Sequence, residues 1–375
     1  MKSIRLLSLL VIVYSFTSCQ KKNTPEPEPE PDVNGTVYVG SDDKNLYAIN
    51  ATTGLKKWAF ATDGAIFSSP SFVNGVVYVG SFDKKVYAVN AATGAKKWEF
   101  ATGGLIFSSP YVVNGVVYIG STDQKLYALD AATGAKKWEF AADASVDSSP
   151  MVVNGVVYVG SEGKKVYALD AVTGAKKWEF AMSGTSATTP TSPTFDHGVV
   201  YACDFQRTLF AIDAATGAKK WEFKTEASID SSPTVKNGLV YITSFDFKLR
   251  ALDAATGIEK WQFEIGITGM SSPTVSNGFV YVGSIPGRLY AVDAVTGLKK
   301  WQVITDDMRP AMYSSLTAAE GKIYACTGEK KVYALDAMTG GSNWVFQTEG
   351  LINSSPCVVT PSGNVYHSGV SGAQE

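Results

Sequence analysis

The sequence predicts an all-β fold: an eight-bladed β-propeller of four-stranded blades, closed by a C-terminal strand that completes the N-terminal blade. Three observations lead there. Tryptophan occurs eight times, at Trp58, Trp98, Trp138, Trp178, Trp221, Trp261, Trp301 and Trp344, with gaps of 40 residues except for two of 43. Around each one the same string recurs: Ser-Ser-Pro, a Val-rich run, Asn-Gly, Val-Tyr-Val-Gly-Ser, then Leu-Tyr-Ala-Leu-Asp-Ala-x-Thr-Gly-x-Lys-Lys-Trp-x-Phe. A period of about 40 residues built from strands belongs to a propeller or a solenoid. The ends favour the ring. Residues 36–41 begin a unit at its second strand, and residues 354–359 form an inner strand without a blade. Joining them removes the open ends of a solenoid. One string, residues 363–368, reads as a ninth second-strand and competes with residues 36–41 for the closing blade.

Residues 108–140 show how one repeat makes one blade. Residues 108–113 read as the inner strand, because Pro110 has no amide proton and proline survives mainly on sheet edges. Asn114-Gly115 is a strong hairpin signal. Residues 116–121 and 126–130 are apolar at consecutive positions, so both faces must be covered, as when blades pack face to face. Asp130-Ala131-Ala132-Thr133-Gly134 supplies side-chain oxygens and a glycine for a tight turn. In residues 135–140, Trp138 and Phe140 share one face and Glu139 takes the other. Lys136-Lys137 charges this outermost strand against edge-to-edge pairing.

These residues carry a resemblance. Ala-Leu-Asp-Ala-x-Thr-Gly-x-x-x-Trp resembles the tryptophan-docking motif of pyrroloquinoline-quinone-like β-propeller repeats, and the match runs over residues 35–366. It implies that each Trp wedges between neighbouring blades. The Trp-Asp repeat has a similar period but fits worse, since no Trp here precedes Asp.

The N-terminus reads as targeting. Lys2 and Arg5 precede an apolar stretch, residues 6–16, too short to span a bilayer comfortably. It ends in Phe16-Thr17-Ser18-Cys19, which resembles a bacterial lipobox with Cys19 as the lipidated residue; an ordinary secretory signal is the alternative. Residues 1–18 are then a lipoprotein signal peptide and 19–33 a lipidated tether, followed by the propeller over 34–375. The alternating Glu-Pro of residues 20–32 favours extended polyproline II, with a reach on the order of 40 Å at ~3.1 Å per residue.

Composition bounds the function. The chain has 375 residues, with 33 basic and 35 acidic side chains. Removing Lys2 and Arg5 leaves a formal charge near −4, with no electrostatic reason to expect nucleic acid as a partner. His197 and His367, the two histidines, lie in different repeats, which argues against a histidine-based metal site. Cys203 and Cys326 sit at equivalent positions three blades apart, beyond the ~7 Å Cα limit for a disulfide, and Cys357 lies on another strand. Three unpaired, buried thiols are expected. No G-x-S-x-G elbow, phosphate loop or spaced zinc ligands occur.

Whatever every copy shares builds the blade, so function is sought where copies differ. The Asn-Gly and Thr-Gly turns share one face and hardly vary. The opposite face holds the links before Ser-Ser-Pro and the turns after Gly-Ser, and loop variation on a rigid scaffold is where binding usually lives. Phe67, Phe82 and Phe107, from adjacent blades, form either an apolar rim for a partner or a filling between blades; Phe205 and Phe245 form a similar pair. Asp147 and Asp230 either face the channel or are solvated turn carboxylates capping amides. Both three-residue insertions fall on this face, in residues 185–196 and 305–311, and the second carries Asp306, Asp307 and Arg309, read as surface loop or recognition.

Anchor, stalk and bare ring together resemble the lipoprotein scaffold of the outer-membrane β-barrel assembly machinery. That resemblance implies a non-enzymatic, monomeric scaffold, an outer-membrane lipoprotein docking an envelope or outer-membrane protein, with no cofactor or metal. A surface binder of glycan or another ligand fits the same features. The other alternative is a pyrroloquinoline-quinone-dependent dehydrogenase, a family that is considerably longer. Many of its members carry adjacent cysteines at the cofactor and Ca²⁺ held by acidic and amide side chains. There is no Cys-Cys pair here, but Asp147, Glu162, Asp230 and Asn353 share the variable face.

Overall fold

The computed structural model describes residues 34–182, 191–268, 271–285, 287–305 and 314–368. Cys19, the tether and Arg309 lie outside these residues. The described chain forms eight antiparallel sheets, each running from an inner to an outer strand, as expected of an eight-bladed β-propeller. In the third blade the strands are Tyr111–Val113, Val116–Ser121, Lys125–Asp130 and Lys136–Ala141. The middle two are buried almost throughout, as their consecutive apolar residues require. The outer strand alternates, with Trp138 and Phe140 turned inward and Glu139 exposed. Asn114 and Gly115 take φ values of 51° and 71°, the left-handed pair that a two-residue hairpin demands.

Eight copies of one latch hold the blades together. The indole N–H of each Trp donates to an alanine carbonyl of the next blade at 2.9–3.2 Å, from Trp58 to Ala91 around to Trp344, which closes the ring on Ala51. The same carbonyl accepts a second bond from a tyrosine, as Ala131 does from Tyr78 at 3.0 Å. The Trp98 ring lies flat on Gly134, where a Cβ would stand 2.8 Å from ring carbons and φ is +75°. The glycine of Thr-Gly is therefore required twice, by its backbone angle and by its neighbour's indole. Apolar burial is likewise shared between adjacent blades: Tyr78, Val86 and Trp98 of one blade pack with Val117, Ile119 and Leu129 of the next.

Two expectations are corrected. The inner strand does not begin at residue 108. Ser108-Ser109-Pro110 stands before it, because the sheet partners there are hydroxyls rather than carbonyls: the Gly120 N–H donates to Ser108 Oγ at 3.0 Å. Nor do residues 36–41 and 363–368 compete. The closing blade runs Lys56–Ala61, Asn45–Asn50, Thr36–Gly40, Cys357–Val359, Val365–Tyr366. An inner strand has two edges, and each segment takes one: Tyr38 pairs with Cys357 and Tyr366 with Val358. The final strand is thus a fifth, innermost member of its blade. Cys203, Cys326 and Cys357 are buried and unpaired, and burial pushes each thiol well above its ordinary pKa.

Candidate functional site

Two places gather chemistry. The first is the axis. The second serine of each Ser-Ser-Pro string, or its equivalent, donates its backbone N–H to the matching Oγ of the next blade. Ser69, Ser109, Ser149, Ser192, Ser232, Ser272, Ser315 and Ser355 close a circle of eight such bonds at 2.9–3.1 Å. A cavity of about 190 Å³ lies within it, lined also by prolines such as Pro70 and Pro110 and by His367. The fifth strand of the closing blade carries His367 there. Its imidazole keeps part of its surface on the cavity, with protein packed around the rest. Burial pushes its pKa down to about 4, against a hydrogen bond to the Pro70 carbonyl. Cys357 Sγ lies 4.0 Å from His367 Nε2. The other histidine, His197, is exposed in a hairpin turn beside Asp196. The sequence reading assigned the serines to a strand and missed the circle; their recurrence in every repeat was the available signal.

The second place is the rim of the variable face. Phe67 stacks on Phe82 with centroids 4.5 Å apart and planes 6° apart. Phe107, from the next blade, meets Phe82 edge-on at 4.5 Å and Phe67 at 5.9 Å. Phe107 remains 38% exposed. The three rings thus form one cluster with an open edge at Phe107. At the equivalent place in the closing blade, Asn353 donates to Asp42 at 3.2 Å.

Across the ring Phe205 and Phe245 pair at 6.5 Å. Asp230 holds the position equivalent to Phe107, between them in ring order. It caps no amide among the described residues. Its Oδ2 is buried without a hydrogen-bond partner there, and burial raises its pKa to about 6. Asp147 accepts a bond from the Ser145 hydroxyl at 2.7 Å, and burial, reinforced by Glu162, raises its pKa. Both are half-buried rather than solvated, which corrects that reading, and neither lines the axial cavity.

A quinone and its metal ion would need several oxygen ligands in one place. Among the described residues no group of three or more His, Cys, Asp or Glu side chains is placed to hold a metal ion. The Glu162 charge acts on Asp147, whereas Asn353 is engaged by Asp42.

A closed ring of tryptophan-latched four-stranded blades defines a pyrroloquinoline-quinone-like propeller. More narrowly, the chain belongs to the family described as outer membrane protein assembly factor BamB, which matches residues 25–106, 101–204 and 188–359. No curated protein matches the chain in sequence. Among solved structures it is similar to BamB from Moraxella catarrhalis, with 21% identity, TM-score 0.67, and coverage of 80% of this chain and 95% of that one. It is also similar to the computationally designed Ika8 protein (13% identity, TM-score 0.68, coverage 81% and 96%). A europium-containing methanol dehydrogenase matches as well (16% identity, TM-score 0.70, coverage 83% and 84%). These three likenesses show the fold.

Proposed function

We propose that this chain is a non-enzymatic scaffold of the bacterial cell envelope, lipid-anchored through Cys19, which docks a protein partner on its variable face and serves outer-membrane protein assembly. The observation that carries the reading is the Phe67, Phe82 and Phe107 cluster, three rings in mutual contact with an open edge on the face where repeats differ. Partly exposed aromatic clusters are where interfaces concentrate their binding energy. Membership of the BamB family supports the envelope setting.

In-cell crosslinking of the tagged full-length chain, with mass spectrometry of what is captured, tests this. The expected result is stoichiometric recovery of an outer-membrane barrel protein or its assembly factors. That recovery is lost in Cys19→Ala and in the triple change of Phe67, Phe82 and Phe107 to Ser. A tightly bound quinone with alcohol oxidation would replace this reading with the dehydrogenase one, and specific glycan retention would replace it with a surface binder.

A further inference from the structure

The face of the Thr-Gly turns looks uniform in sequence pattern, yet the structure divides the ring into two unlike halves. In blades two to five the turn tips are small: Ala92, Ala132 and Ala215, with Val172 as the one large exception. Their outer strands carry Glu99, Glu139, Glu179 and Glu222, each bridged to a lysine of the same strand at 2.6–2.8 Å. In blades six, seven, eight and one those glutamates are replaced by Gln262, Gln302, Val345 and Ala59. Large aliphatic residues before or after Thr-Gly stand out into solvent there, Ile258 63% exposed, Val295 76%, Leu298 69%, Met338 52% and Leu55 70%, with Thr52, Ala255 and Gly341 at the remaining positions. Beside the aliphatic residues Lys56 and Lys300 make no ion pair among the described residues, whereas Lys260, near Ile258 in the chain, pairs with Asp253 at 3.2 Å.

We infer that this arc of blades six, seven, eight and one is a membrane-contact surface that lays its aliphatic turn tips and free lysines on an anionic phospholipid leaflet. The inference rests on the anchored reading above, and three features single out a bilayer. The described chain enters the ring within this arc: Thr52 Oγ1 donates to the Asn34 carbonyl at 3.1 Å, and Lys57 Nζ to the Gly35 carbonyl at 3.0 Å. Leu55 is therefore beside the point at which the segment from Cys19 joins the propeller. Next, the aliphatic side chains project singly from separate turns, a comb suited to entering a fluid interface. Finally, unpaired lysines flanking exposed aliphatics match the headgroup and acyl layers of an anionic interface.

The test is photo-crosslinking of the full-length protein with a photoreactive residue at Leu298, at Met338 or at Phe107. It is mixed with vesicles of phosphatidylcholine, with and without phosphatidylglycerol, and the adducts are identified by mass. The inference expects phospholipid adducts at Leu298 and Met338, strongest with phosphatidylglycerol, and none at Phe107. In a chain also carrying Leu55→Ser and Ile258→Ser, adduct yield should fall on the order of tenfold, since exposed aliphatics supply the insertion. These exposed tips are replaceable without loss of the fold, which thermal melting of the variant checks. Vesicle-bound protein without lipid adducts at Leu298 overturns the inference, as does a crosslinked second copy or other protein in their place. The anchor is judged separately: if Cys19→Ala leaves membrane recovery in cells unchanged, the anchored reading fails, while the adducts at Leu298 still decide the arc.

Discussion

The two faces of the ring are made from the same repeat and use it in opposite ways. On the Thr-Gly face one arrangement recurs eight times, with indole on glycine and indole N–H to an alanine carbonyl. On the link face the backbone recurs but the side chains do not: one stretch of rim holds three phenylalanines, another a carboxylate whose Oδ2 has no hydrogen-bond partner among the described residues. The difference teaches where each kind of change should register. Altering the repeated contact affects folding, because each blade is stable only against its neighbours. Altering the rim leaves the ring standing and changes what it meets.

The largest effect that would break this contrast comes from the latch. Trp98→Ala removes a buried indole and empties the space above Gly134, at an expected cost of about 3–5 kcal/mol. Urea unfolding followed by circular dichroism measures it. A loss below about 1 kcal/mol would mean that the latch is not what holds the blades.

Two titrating groups give an effect of intermediate size. Burial holds His367 down at about 4, so its contribution to stability is present above the ordinary histidine pKa of 6.5 and is lost as pH falls from there towards 4. Burial holds Asp230 up at about 6, so the folded state gains as pH falls from 6 towards the ordinary 3.8. The two oppose each other over nearly the same window, each by up to about 3 kcal/mol. Relative to the parent, stability of Asp230→Asn should therefore fall more steeply between pH 6 and 4, and that of His367→Gln less steeply. Urea midpoints across that range sharpen the comparison; parallel curves for all three proteins would show that neither group titrates as its surroundings dictate.

The smallest effect belongs to the rim. Phe107→Ser should change stability by less than about 1 kcal/mol, since its ring is partly solvated. A thermal scan that fell as far as that of Trp98→Ala would make the cluster a filling between blades rather than a docking surface.

Much of this was legible in the chain. The spacing of Trp58 to Trp344 gave the blade count, and the apolar runs such as residues 116–121 gave the buried middle strands. What escaped was pairing between segments far apart. Gly163 stands where other blades place Asp83 or Asp123, and Asp143 from the preceding link supplies the missing carboxylate, accepting a bond from Ser161 at 2.6 Å. In the sixth blade Arg250 replaces the usual tyrosine, and its guanidinium meets Asp246 at 2.6 Å with both side chains buried. The first replacement looks like a lapse of the repeat until the fold brings the link to it, whereas the second finds its partner within its own hairpin.

The sequence by itself determined the fold and its period, because apolar pattern, turn residues and Trp spacing are local properties that each repeat expresses alone. Which face holds the variation followed from the same repeat. Only the tertiary structure decided that eight serines form one hydrogen-bonded circle, that residues 365–366 become a fifth strand carrying His367 to the axis, and that Phe67, Phe82 and Phe107 touch. Those contacts join different blades, and closing the ring is what gives each residue a neighbour 40 or 286 positions away.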